Sequence, residues 1–95
     1  MEVKIRFFTT LREITNKREE TLAISPETTV SMVLKLLSKK YGKQFDDYVF
    51  DAKTGQVKGF LQFLINGKST STLNRLETRL KHGDVLAILP PVGGG

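Results

Sequence analysis

The chain of 95 residues contains no cysteine and no tryptophan, one histidine and three prolines. Without cysteine there are no disulfides, thiol nucleophiles, zinc-thiolate sites or iron-sulfur ligation, so any sulfur chemistry must use sulfur brought from outside. No apolar run approaches the roughly 20 residues of a membrane span. The chain opens Met1-Glu2-Val3-Lys4, charged and alternating, without the apolar region of a signal peptide. A cytoplasmic protein with no membrane partner is the expectation. The single histidine, His82, stands in a Lys-His-Gly-Asp turn with no other histidine near it in sequence. That excludes a local metal cluster and favours a solvated turn residue. Gly55, Gly59 and Gly67 match no phosphate-binding spacing. Asp46 and Asp47 are adjacent, and neighbouring carboxylates seldom face one site, so they read as surface charge. No nucleophile has a recognisable base. The chain is expected not to be an enzyme by itself.

The residues that are present suit one globular domain with one modest core: 39% are hydrophobic and 26% charged. The net charge of +5 raises nucleic acid as a partner. The basic residues do not form one block, however. Lys35, Lys39, Lys40 and Lys43 follow one helical stretch, while Lys4, Arg6, Arg75, Arg79 and Lys81 are scattered. Few aromatics are interleaved with them, which argues against a base-stacking platform. A solvated basic face, or one that meets an acidic protein, fits better.

Val3, Ile5 and Phe7 alternate with Lys4 and Arg6, the pattern of a half-buried strand. Leu11–Ile14 suggests a short turn, and Glu20–Ile24 a second strand paired to the first. Thr28-Thr29 precedes a helix over about 29–41, with Val30, Val33, Leu34, Leu37 and Tyr41 on one stripe and Gly42 as its stop. Residues 43–59 could be a short helix or irregular packing, with a turn at 51–55. Phe60–Ile65 reads as a strand closed by Asn66-Gly67, a pair favoured in tight hairpins. A short returning segment leads to Thr72-Leu73, and Leu76 and Leu80 suit a one-turn helix or loop. The last strand, Val85–Leu89, is expected beside the first at the sheet centre. The sum is an α+β roll: a mixed sheet of four to five strands and one main helix.

The chain then runs from Leu89 through Pro90, Pro91, Val92, Gly93, Gly94 and Gly95. The reading divides it into a domain over 1–89 and a tail over 90–95. The prolines keep the tail extended and away from helix. Glycines lack Cβ atoms and can thread a channel that rejects larger residues. From Pro90 such a tail reaches roughly 20 Å, at about 3.3 Å per residue. This suits a carrier arm whose working group is the Gly95 carboxylate; a frayed terminus or cloning remnant is the plain alternative. A carboxylate is a poor electrophile, so a partner must first activate it, most cheaply as an acyl-adenylate made from ATP. Capture by sulfide or a persulfide then gives a thiocarboxylate, and capture by an amine gives an amide. No cofactor is expected on the chain itself; ATP is used by the activating partner. A docking face must accompany the tail. Phe8, an aromatic on the polar side of the first strand, and Leu89 are candidates. Phe63 or Leu61 of the middle strand could join them. Phe8 packed under residues 11–14 is an equal alternative, and the core is the favoured place for Phe63.

Ile5-Arg6-Phe7-Phe8-Thr9-Thr10-Leu11-Arg12-Glu13, Thr29-Val30 before the helix, Ile65-Asn66-Gly67, and the run from Leu80 to Val92 together resemble the MoaD family. The similarity spans nearly the whole chain and extends to small archaeal modifier proteins. It implies the ubiquitin-like β-grasp fold. It further implies a C-terminal glycine, here Gly95, that an E1-like adenylating enzyme activates. The product would be a thiocarboxylate used with the molybdopterin synthase large subunit, or an isopeptide bond to target-protein lysines. Two features depart from the pattern: Gly93 makes a third terminal glycine, and 46–58 is longer than in the shortest carriers. A basic β-grasp binding module without tail chemistry, on RNA for instance, is the alternative from another class.

Overall fold

The computed structural model describes residues 1–69 and 76–90. Strand β1 (Glu2–Phe7) pairs antiparallel with β2 (Glu19–Ala23) and parallel with β5 (Val85–Leu89). Strand β3 (Gln62–Ile65) pairs antiparallel with β5 and with the two-residue β4 (Lys68–Ser69). The result is one mixed five-stranded sheet in the order β2-β1-β5-β3-β4, with the last strand at its centre. The expected neighbourhood of first and last strands is what forms. Strict alternation decides the faces: Val3, Ile5 and Phe7 are buried, while Glu2, Lys4 and Arg6 are exposed.

Helix α2 (Val30–Tyr41) crosses the inner face. Val30, Val33, Leu34 and Leu37 are its buried stripe and join Ile5, Phe7, Leu86 and Ile88 in one core. Its ends are as the sequence predicts. The Thr29 hydroxyl accepts the Met32 N–H at 3.2 Å. At the other end Gly42 takes φ 84°, and its N–H bonds the Ser38 carbonyl. Removing the cap leaves an early helix N–H without its side-chain acceptor. Thr29→Ala is therefore expected to lower stability by about 1 kcal/mol in urea unfolding, with an unchanged slope.

Two elements differ from the sequence reading, and a third settles a stretch it left open. The expected turn at Leu11–Ile14 is a helix, α1 (Thr10–Thr15), which ends at Asn16 in the left-handed region and has a buried Thr15 hydroxyl donating to the Leu11 carbonyl. The undecided stretch begins with a second short helix, α3 (Lys43–Val49), anchored by buried Phe45 and Val49. A two-residue stripe at i and i+4 is too short a period to identify from sequence. Strand β3 starts at Gln62 rather than Phe60, because Leu61 N–H bonds Lys58 C=O while the chain is still turning, and Phe60 packs edge-on against Tyr48. The turn at 51–55 is present, with the Asp51 carboxylate accepting the Lys53 and Thr54 N–H groups. The segment read around Thr72-Leu73 lies outside the described residues.

Asn66 and Gly67 have φ of 53° and 82°, as a two-residue hairpin of the primed type requires. Asn66 does a second job: its amide donates to Asp84 and accepts from the Val85 N–H, both at 2.9 Å. The hairpin is thereby tied to the start of the central strand. His82 is exposed in the preceding turn and accepts the Glu2 N–H on Nδ1 at 3.0 Å.

Candidate functional site

The outer face of the sheet carries the candidate site, and strand alternation builds it. In β5, Leu86 and Ile88 point to the core, which turns Val85, Ala87 and Leu89 to the other side. The register sets Ala87 between Arg6 of β1 and Leu64 of β3, and Leu89 beside Gln62. An apolar stripe of Val85, Ala87, Leu89 and Leu64 thus runs up the sheet centre. All four are half-buried, and none belongs to the core. Basic groups flank it. Lys4 lies opposite Val85 and bridges to Glu19 at 3.3 Å.

Phe8 follows the end of β1, and extending the parallel register by one residue carries it level with Leu89. Its ring is half-buried and outside the core. The Arg6 guanidinium lies 5.6 Å from the ring centroid and that of Arg12 6.0 Å, both within cation–π range. Phe8 therefore has a place on the rim of the stripe rather than among the core side chains. Phe63 and Leu61 do not join it: they are 2% and 1% exposed and lie in the core. The packing reading of Phe63 holds, and its neighbour Leu64 takes the outward position. That residue was missed, although assigning Phe63 to the core forces Leu64 to the opposite face.

The stripe leads to Pro90, which is half-buried where the strand ends. Pro91, Val92, Gly93, Gly94 and Gly95 lie outside the described residues. The titratable groups weighed in the sequence have local partners. Asp46 accepts the Ser38 hydroxyl at 2.7 Å, and Asp47 pairs with Lys43 at 3.1 Å. Glu20, buried at the edge of the core, is held by Lys40 and the Tyr41 hydroxyl, with Lys17 at 3.7 Å. Among the described residues the candidate site is thus an apolar stripe flanked by cationic groups.

The ThiS family model matches residues 5–95, from the first strand through the last glycine. The chain belongs to the ThiS family. Small archaeal modifier protein 3 of Haloferax volcanii is 33% identical over 95 residues, covering all of both chains. The molybdopterin synthase sulfur carrier subunit of Drosophila yakuba is 30% identical over 97 residues, covering all of this chain and 92% of that one. The solution structure of small archaeal modifier protein 1 from Methanosarcina acetivorans superposes with a TM-score of 0.82 at 37% identity, covering 99% and 96% of the two chains. The chain has the ubiquitin-like β-grasp fold of these neighbours, and the two relatives that match it from end to end are named as a modifier and as a sulfur carrier subunit. No described helix is long and apolar enough to cross a membrane.

Proposed function

We infer that the Gly95 carboxylate is the working group of this protein. An E1-like partner uses ATP to adenylate it: a carboxylate oxygen attacks the α-phosphorus and pyrophosphate leaves. The acyl-adenylate then has two fates. Sulfide displaces AMP to give a thiocarboxylate, a sulfur store for molybdopterin formation. Alternatively a lysine amine displaces AMP, with loss of a proton, and gives an isopeptide bond to a target protein. Pro90, Pro91, Val92, Gly93 and Gly94 form the thin stem that enters the partner's channel. The outer stripe, with Phe8 and Leu89 at the tail end and Leu64 beside them, is the docking face.

The observation that carries this reading is the placement of β5. The strand that leads into the tail is the central one, bonded on both sides and lined outwardly by the apolar stripe. A partner that binds the stripe receives the tail at a defined position and angle. The full-length match to a modifier and to a sulfur carrier supports both fates of the activated glycine.

Mass spectrometry on N-terminally tagged protein from its native host tests the proposal. A terminal thiocarboxylate without conjugates marks a sulfur carrier. Partner lysines that carry the stretch from His82 to Gly95, which trypsin leaves after cutting at Lys81, mark a modifier, and both signals mark a dual role. An unmodified carboxylate alone, with the activating enzyme present, refutes the proposal. The docking face has its own test. Leu64→Glu sets a charge amid the stripe without touching the core. It is expected to lower the partner's kcat/KM for adenylation about tenfold or more, equivalent to about 1.4 kcal/mol, with the urea midpoint near the parent value.

A further inference from the structure

Helix α2 has a second apolar feature that neither the core nor the outer stripe uses. Met32 and Leu36, one turn apart, are 47% and 48% exposed. They border a groove of about 790 Å³ between α2 and the end of β2, completed by Ala23 and Ile24. Lys35 and Lys39 also line it, and none of its lining residues is a carboxylate. The groove therefore has an apolar floor, the hydroxyl residues Ser25 and Thr28 at one end, and lysines as the charged residues of its lining.

Beside it runs an open sheet edge. Among the described residues β2 has β1 as its one neighbour. The Ile24 N–H donates to the Met1 carbonyl at 2.7 Å, and the Phe7 N–H to the Arg18 carbonyl at 2.8 Å. Alternation along an antiparallel pair turns Glu20 and Leu22 toward β1 in the same way. The backbone groups of Glu19, Thr21 and Ala23 consequently point away from the sheet. An edge of this sort accepts a further strand about 4.8 Å away.

We propose that the β2–α2 groove binds an extended peptide of a partner protein, added as a sixth strand beside β2. Its apolar side chains at alternate positions enter between Met32, Leu36 and Ile24, and its flanking acidic residues meet Lys35 and Lys39. The two halves of the site select together: backbone bonds at Thr21 and Ala23 require an extended segment, and the rim selects negative charge next to an apolar centre. The chain's own tail is a poor occupant: besides its prolines it has one apolar side chain, Val92, and no acidic side chain to meet the lysines. Ala23 is opposite Glu2 at the start of β1, whereas Pro90 emerges beyond Phe7 at its end, about 20 Å along the strands at about 3.3 Å per residue. The groove and the point where the chain leaves β5 therefore lie toward opposite ends of β1, so a peptide in the groove leaves Pro90 uncovered. The carrier could present itself to a reader by one site while attached by the other.

The probe is a labelled ten-residue peptide with a Val-Ile-Val-Ile centre and three aspartates on each side, titrated into the isotopically labelled full chain. Amide shifts confined to Thr21, Ala23, Met32 and Leu36, with slowed hydrogen exchange at Thr21 and Ala23, are expected. Leu36→Glu should weaken binding about tenfold. The Lys35→Glu, Lys39→Glu pair, both at exposed positions, should lose the aspartate probe and gain a lysine-flanked one. No shift at millimolar probe would overturn the proposal, as would shifts at Leu64 and Ala87 instead, or equal binding of both probes. Concentration-dependent shifts at the groove without peptide would assign it to a second copy of the chain and equally overturn it. None of these readouts requires tail activation, so they stand or fall separately from the chemistry of Gly95.

Discussion

A Gly94→Val chain is expected to fold like its parent and to be adenylated about a hundredfold more slowly. The two halves of that expectation have separate causes. Every residue of the described core precedes Pro90, the last of them being Ile88. A substitution four residues beyond Pro90 removes none of those contacts, so the unfolding midpoint should stay within error. Activation is another matter. In-line attack on the α-phosphorus of ATP needs the carboxylate held close to the reacting distance, and small misplacements are costly. Valine adds a branched side chain next to the reacting residue, and its stiff χ1 leaves little room to adapt. A channel shaped for glycine must widen or leave Gly95 short of the nucleotide. The measurement is ATP–pyrophosphate exchange with the cognate activating enzyme, beside a urea titration of the free chain. Normal exchange by the variant would sink the narrow-channel argument while leaving the fold untouched.

Phe7→Ala is expected to cost about 3–5 kcal/mol. Domains of this size have roughly 5–15 kcal/mol in total, so the variant should be near its unfolding threshold. Phe7 is fully buried on the inner face of β1, opposite Ile88 of the central strand. Its ring meets Tyr41 edge-on at 6.1 Å. Tyr41 in turn stacks on Phe45 at 6.0 Å and bonds Glu20. Removing the ring leaves a cavity where β1, β5 and the end of α2 converge, and a rigid sheet on one side limits collapse into it. Urea unfolding followed by far-UV circular dichroism checks the value. A loss below 1 kcal/mol would mean that the aromatic cluster repacks and that the core is more plastic than its geometry suggests. Phe7 and Phe8 make a useful contrast, since adjacent phenylalanines on opposite faces should separate stability from partner binding. Leu64→Glu serves the same purpose on β3, where Phe63 is its buried counterpart.

Legibility followed the range of the physical cause. The cap at Thr29, the stripe of α2, the stop at Gly42 and the turn at Asn66-Gly67 each depend on residues within about one helical turn or one hairpin, and each formed as read. The helix α3 was left undecided because two anchoring residues, Phe45 and Val49, do not make a period. The start of β3 was placed two residues early because Phe60 is apolar yet spends its ring on Tyr48. Met32 and Leu36 escaped notice on α2: apolar residues beside a strong stripe are readily absorbed into it, and only the finished packing shows that nothing described covers them.

By itself, then, the chain of residues determined its local elements, its side-to-side alternation, the absence of thiol chemistry within it, and an ending without side chains. The tertiary structure decided which faces are covered. Pairing Ile5 with Leu86 joins residues 81 positions apart, and no local periodicity encodes that choice. It places the strand that leads to the tail at the sheet centre. Among the described residues it also leaves β2 at the sheet edge and sets Leu64, Ala87 and Leu89 side by side. Alternation assigns each side chain to a face, but long-range pairing decides which outward side chains become neighbours, and a binding surface exists only once they do.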